Sequence, residues 1–138
     1  MTVGLVIVSH SAQLAEGVVE LAGQMAQGKV KIASAGGTLD GGLGTSVEKI
    51  LDALRGVDSP DGILVLLDLG SAVMATEMAV DFFASESSHL VTISSAPLVE
   101  GAVIAAVEAS IGNSLPEVAE AAESAVTLPK VHSRQSGQ

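Results

Sequence analysis

The feature that most constrains the fold is a fourfold alternation. Short, almost wholly apolar runs at residues 3–8, 30–33, 63–67 and 90–93 are each followed by small or polar residues and then by a stretch with helical spacing. Runs this short and this continuous suit strands covered on both faces, as in a parallel sheet. The alternation therefore predicts an α/β domain: a mainly parallel four-stranded sheet with helices on both faces.

The helical stretches carry their own punctuation. From Ser11 onward Leu14, Val18, Leu21, Ala22 and Met25 share one face, and Gly28 suits the stop. "SAGGTLDGGLG", residues 34–44, holds five glycines in eleven positions and reads as a loop. "TSVE", 45–48, is a capping-box pattern that would open a helix at Thr45 and bury Val47, Ile50, Leu51 and Leu54. Further helices are expected over about 71–84, 98–111 and, after the "SLPE" box at 114–117, to about 125. "VTLPKV", 126–131, fits a short fifth strand, at an edge because Pro129 cannot donate to a ladder. "HSRQSGQ" reads as a frayed tail, which makes residues 1–131 one domain and 132–138 its flexible end.

Composition removes several classes of function. The formal net charge is −10, and the six basic residues, Lys29, Lys31, Lys49, Arg55, Lys130 and Arg134, are scattered. A nucleic-acid surface is not expected, and with only Phe82 and Phe83 as aromatics there is no stacking platform for bases. The acidic excess suits a docking partner with a basic face. No cysteine is present, which excludes disulfide and thiol chemistry and fits a reducing compartment. The beginning of the chain has no basic leader region and no apolar run reaches membrane-spanning length, so the expected location is cytoplasmic, with no membrane partner.

In a parallel sheet all strands finish at one edge, so loops distant in sequence converge there. His10 follows the first strand, Asp68 the third, and the glycine-rich loop and residues 94–100 the other two. A single histidine there is often only a polar helix-start residue, and a single aspartate a turn residue. As a pair they do more: a carboxylate bonded to one imidazole nitrogen fixes the tautomer and leaves the other lone pair pointing outward. Backbone N–H groups of the glycine loop and of the Ser11 helix start suit a transient anion such as a phosphoryl group. Ser11, Gly44, Thr45 and Ser71 are the expected phosphoryl-binding positions. Ser46 and Glu100 also lie in the right loops, each with a structural explanation as a cap or turn residue. His89 falls at the opposite sheet edge and His132 in the tail, both expected to be solvated. One histidine with one or two carboxylates is a poor metal set, and no metal is expected. There is no G-x-S-x-G elbow, P-loop or dinucleotide fingerprint. Phosphoryl acceptance by His10 keeps all its parts.

Four motifs carry a family likeness. "VIVSHSAQLAEG", "GGTLDGGLGTS", "LLDLGSA" and "SAPLVEGA" fall in order at the four strand ends, and over residues 1–125 the chain resembles the mannose-type IIA proteins of the phosphoenolpyruvate:sugar phosphotransferase system, in the DhaM branch that serves dihydroxyacetone kinase. The resemblance implies that His10 takes a phosphoryl group from phospho-HPr, itself charged through enzyme I, and that Asp68 orients the ring. It implies transfer to ADP held in the DhaL subunit, with DhaK and its covalently bound dihydroxyacetone as destination, so that no cofactor belongs to this chain. It implies a homodimer, in which "VTLPKV" could match the strand that mannose-type relatives exchange. His10-Ser11 and "DLGSA" match the DhaM branch, where sugar transporters carry His-Gly and a longer turn with Ser-Pro. Some relatives fuse HPr-like and enzyme I-like domains after this one; here the donor is expected to be a separate protein. Leu43, Leu69, Val73 and Met74 are candidates for an apolar rim that excludes water. Three other readings stay open: a sugar-transporter IIA protein with a IIB acceptor, a small tetrapyrrole metal chelatase, and a regulatory module that acts by docking alone.

Overall fold

A computed structural model describes residues 1–132. Its elements alternate as β1 (Gly4–Ser9), α1 (Ala12–Met25), β2 (Ile32–Gly36), α2 (Val47–Gly56), β3 (Ile63–Leu67), α3 (Val73–Ala84), β4 (Val91–Ile93), α4 (Leu98–Ser110) and α5 (Leu115–Glu123). The four strands are parallel in the order β2-β1-β3-β4. The α/β class and the helices on both faces are as the sequence predicts.

Each face buries one half of the strand alternation. Val3, Leu5, Ile7, Leu64 and Leu66 point into a core shared with α1, α4 and α5. Val6, Val8, Ile63 and Val65 point the other way, against Ile50 and Leu54 of α2 and Phe83 of α3. α4 lies on the sheet through Gly101, Ala102, Ala105, Ala106 and Ala109, all buried, so its backbone comes close to the strands. Gly4 is required in β1 because a side chain there would strike the carbonyl of Val57.

Several boundaries differ from the sequence reading. The second strand starts two residues later than expected and runs on to Gly36, because it pairs with β1 through Ser9↔Gly36 and so absorbs the first part of the glycine-rich segment. A Cβ at Gly36 would lie 2.5 Å from the Ser11 carbonyl and 2.8 Å from the Ala12 Cα. The helix after the glycine loop is capped by Ser46, whose Oγ accepts from the Lys49 N–H at 3.2 Å, and not by Thr45. Gly44, at φ 141°, is held in the loop by its own hydrogen bond to His10, which moves the cap one residue on. At "SLPE" both halves of the capping box form, with Ser114 and Glu117.

The fifth strand expected at 126–131 does not form. α5 runs into a 3₁₀ turn at Ser124–Thr127, closed by the Thr127 hydroxyl donating to the Ser124 carbonyl at 2.9 Å. The segment then lies beside α4, where Lys130 Nζ sits 2.7 Å from Glu100 Oε2. Local helical bonding and this ion pair hold it off the sheet, which has four strands among the described residues. Of the tail expected at 132–138, residues 133–138 lie outside the described residues.

Gly36→Ala should cost about 1–3 kcal/mol, because both near atoms are backbone and cannot swing aside. Gly17→Ala, in the middle of α1 with no atom within 4 Å of the new methyl, should stabilise by about 0.5–1 kcal/mol. Urea midpoints of the two variants measure the contrast.

Candidate functional site

β1 and β3 are neighbours whose chains leave in opposite directions, β1 toward β2 and β3 toward β4. The crevice beyond their C-terminal ends is a topological switch point, where parallel sheets bind ligands. His10 is the first residue past β1 and Asp68 the first past β3. The register, which pairs Val8 with Leu67, brings them side by side.

The contact is dense. His10 Nδ1 lies 3.0 Å from Asp68 Oδ1, and the His10 backbone N–H donates to Asp68 Oδ2 at 2.9 Å. The Ser9 hydroxyl donates to the same Oδ2 at 3.0 Å. The His10 side chain keeps 27% of its surface exposed, whereas Asp68 keeps 11%. Burial pushes the Asp68 carboxyl pKa up, but donors from the His10 backbone, the His10 ring and Ser9 outweigh it and hold the group below the usual carboxylate range. An ionised carboxylate only accepts, so Nδ1 carries the proton and Nε2 presents its lone pair. Ser71 Oγ stands 3.0 Å from Nε2 and donates to it in the neutral ring.

The other expected residues divide by what their polar groups already do. Ser11 caps α1: its Oγ accepts from the Leu14 N–H at 3.2 Å, and its own N–H donates to Ser9 Oγ at 3.0 Å. The Gly44 N–H donates to the His10 carbonyl at 2.8 Å, and the Gly37 N–H to the Ser9 carbonyl at 3.1 Å. The glycine loop thus braces the backbone of the histidine from outside. Its interior is closed by Thr38, which bonds the Asp40 carboxylate and the Gly42 N–H; the Thr38 hydroxyl is the chief cause of a lowered Asp40 pKa. Thr45 lines a cavity of about 610 Å³ with Thr38, Asp40, Leu43 and Ser46; His10 is not part of its wall. Glu100 is taken up by Lys130, the main cause of its lowered pKa.

Two helical starts follow the strand ends that hold the pair. Ala12 and Gln13 open α1, and Gly70 and Ser71 open the 3₁₀ turn Gly70–Ala72 that runs into α3. First-turn amides have no partner within their own helix, and the dipole there favours an anion. Leu69 is exposed and Val73 half-buried beside Asp68; Met74 is exposed one residue further along α3, and Leu43 is exposed by the Thr45 cavity. A cavity of about 460 Å³ opens beside Asp68, lined by Leu69, Gly70, Val73, Glu77 and Ser94; the His10 ring is not part of its wall.

His89 is not merely solvated. Its Nδ1 lies 2.8 Å from Asp58 Oδ1, and its backbone N–H donates to Ser87 Oγ. Ser9 is the residue that sequence reasoning missed. It reads as the polar stop of a strand, and the only available signal was that a fully buried strand should not end on an unpartnered hydroxyl.

Known proteins match this arrangement. The family model EIIA-man, the PTS system fructose IIA component, covers residues 4–119. The chain belongs to this family. It is 42% identical over 132 residues to the phosphoryl donor subunit DhaM of the PEP-dependent dihydroxyacetone kinase of Klebsiella michiganensis, which covers 94% of this chain and 28% of that protein. The chain therefore spans just over a quarter of that relative's length. The DhaM subunit of the PEP-dependent dihydroxyacetone kinase 2 of Listeria innocua is 38% identical over 112 residues, 81% of this chain and 90% of that protein. A crystal structure of a protein of unknown function, EF1359, matches with a TM-score of 0.76 at 36% identity and covers 89% of this chain and 94% of that one. No helix among the described residues is long and apolar enough to cross a membrane.

The depressed Asp68 pKa has a stability consequence of definite sign. Its contribution is complete above the ordinary carboxyl value of 3.8 and is lost as pH falls through the lower folded-state value. The difference in urea midpoint between the parent chain and Asp68→Asn should shrink as pH falls below about 4. A difference that stays constant to pH 2.5 would show that Asp68 is not held ionised by these donors.

Proposed function

We propose that this domain is a phosphohistidine carrier: His10 accepts a phosphoryl group from phospho-HPr and passes it to ADP bound in DhaL, for use on dihydroxyacetone in the DhaK–DhaL complex. The observation that carries the reading is the ring's polarity, with Nδ1 bonded to an ionised Asp68 and Nε2 beside the Ser71 hydroxyl on a partly exposed ring.

The steps balance without further groups. The Nε2 lone pair attacks phosphorus in line; the N–P bond of the donor histidine breaks and its electron pair returns to the donor ring. Asp68 stabilises the positive charge that develops on the His10 ring, and the Nδ1 proton stays between the two. Ser71 is placed to shift its hydroxyl donation from the Nε2 lone pair to a phosphoryl oxygen, and first-turn amides of α1 can join it. In the second transfer an oxygen of the ADP β-phosphate attacks phosphorus and the electron pair returns to Nε2. The nucleotide then belongs to the partner, and this chain needs no cofactor of its own.

Two further observations support protein partners. The reacting nitrogen stands at an open mouth and not inside the nearby cavity. Met74, Met78 and Phe82, at i, i+4 and i+8 of α3, are exposed in a stripe that begins beside Ser71. An apolar stripe on a chain of net charge −10 suits a partner with an apolar centre and a basic rim. The homodimer that the family likeness implies belongs to the same reading.

Incubation with phosphoenolpyruvate, enzyme I and HPr should add one acid-labile phosphoryl group at His10, removed on a chase with ADP-loaded DhaL and recovered as ATP. His10→Ala should take up none, and Asp68→Ala should be charged roughly 100-fold more slowly with the fold intact. Charging of His10→Ala would overturn the site. Charging of the parent chain without discharge to DhaL would favour a IIB protein as acceptor.

A further inference from the structure

We propose that Ser9 is a positioning residue for His10, setting the orientation and tautomer of the imidazole through Asp68. The kinetic part of this proposal rests on the carrier reading; the part concerning the ring does not.

Ser9 is the last residue of β1 and has no exposed surface, although its side chain ends in a hydroxyl. A buried hydroxyl needs partners, and a strand-end serine can commonly find one in a nearby carbonyl. Ser9 instead bridges two functional elements. Its Oγ accepts the Ser11 N–H at 3.0 Å and donates to Asp68 Oδ2 at 3.0 Å. The accepted bond determines where the hydroxyl proton can go, since a donor on one side of Oγ turns the O–H toward the other.

The carboxylate is thereby held at both oxygens. Oδ2 receives two donors, Ser9 Oγ–H and His10 N–H, and Oδ1 is left for the ring. Two donors converging on Oδ2 fix the carboxylate plane, and that plane decides whether Oδ1 lies along the Nδ1–H direction. Without the hydroxyl, Asp68 can rotate about its terminal torsion, which is broad for an aspartate. The Ser11 N–H, at the cap of α1, would also lose its acceptor. Loss of one hydrogen bond to a charged group typically changes an equilibrium or rate by about tenfold or more.

Ser9 is buried beneath the reacting face, so it should influence the ring without touching a docked donor. The test uses full-length protein with ¹⁵N-labelled histidine, comparing the parent chain with Ser9→Ala and Ser9→Thr. Nδ1 and Nε2 chemical shifts report the tautomer, and initial rates of charging by phospho-HPr report kcat and KM. In Ser9→Ala we expect the proton to spread from Nδ1 toward Nε2, kcat to fall roughly tenfold, and KM for phospho-HPr to hold. Ser9→Thr, which keeps the hydroxyl, should restore both shifts and rate. Should Ser9→Ala fail to fold, Ser9→Cys, with a weaker donor of similar size, is read in the same way. Parental shifts in the variant that lacks the hydroxyl overturn the proposal, and a slowed rate with unchanged shifts overturns it too, because the loss is then structural. If the parent chain is never charged, the carrier reading falls; the shifts, which need no phosphoryl donor, still decide the role of Ser9.

Discussion

The Asp68 carboxylate is the node on which the site depends. It receives the ring nitrogen and the backbone amide of His10 and the hydroxyl of Ser9, three donors from two consecutive residues of another strand end. Such convergence requires β1 and β3 to be adjacent, parallel and in the observed register, Val8 beside Leu67. A slip of one residue would turn Asp68 to the opposite face of the sheet and leave the imidazole without its partner. The buried aliphatic alternation of the two strands, Leu5 and Ile7 to one side and Val6 and Val8 to the other, opposes that slip. The core thus keeps the site in alignment.

Small residues decide how the surrounding pieces approach. Gly36 lets the start of α1 lie on the end of β2, which places Ser11, and with it His10, over the crevice. The glycine-rich loop looks in sequence like a cradle for an anion. In the folded chain two of its amides are spent on the carbonyls of Ser9 and His10. Its role is to brace the backbone of Ser9 and His10.

A comparison within the molecule shows why place matters more than residue pairing. His89 and Asp58 are as close as His10 and Asp68, and a serine bonds to that aspartate as well. That second pair sits where α2 and α3 end, beside Asp58 N–H bonded to the Arg55 carbonyl and Ser87 N–H bonded to the Phe83 carbonyl. Helix C-termini carry the negative end of the dipole and repel an incoming phosphoryl group. The same side chains at the opposite ends of the helices meet the positive end.

Hydrophobic patterning by itself determined the class of fold, the two-sided sheet, most element positions and the convergence of His10 with Asp68 at one edge. These follow from short continuous apolar runs and helical spacing, which are properties of consecutive residues. Cap positions were legible only where local bonding was free to act: Ser114 and Glu117 close their box, whereas the hydrogen bond from Gly44 to His10 displaces the cap from Thr45 to Ser46. The fifth strand failed for a similar reason, since a β-compatible run was captured by the end of α5 and by the Lys130–Glu100 pair. Ser9 was hard to read because a buried strand-end hydroxyl signals only that it needs a partner, and nothing in the sequence says that the partner is Asp68 across the sheet. Tertiary structure alone decided which oxygen of Asp68 serves the ring and that a buried serine holds the carboxylate in place, because both depend on atoms from two strand ends nearly sixty residues apart in the chain.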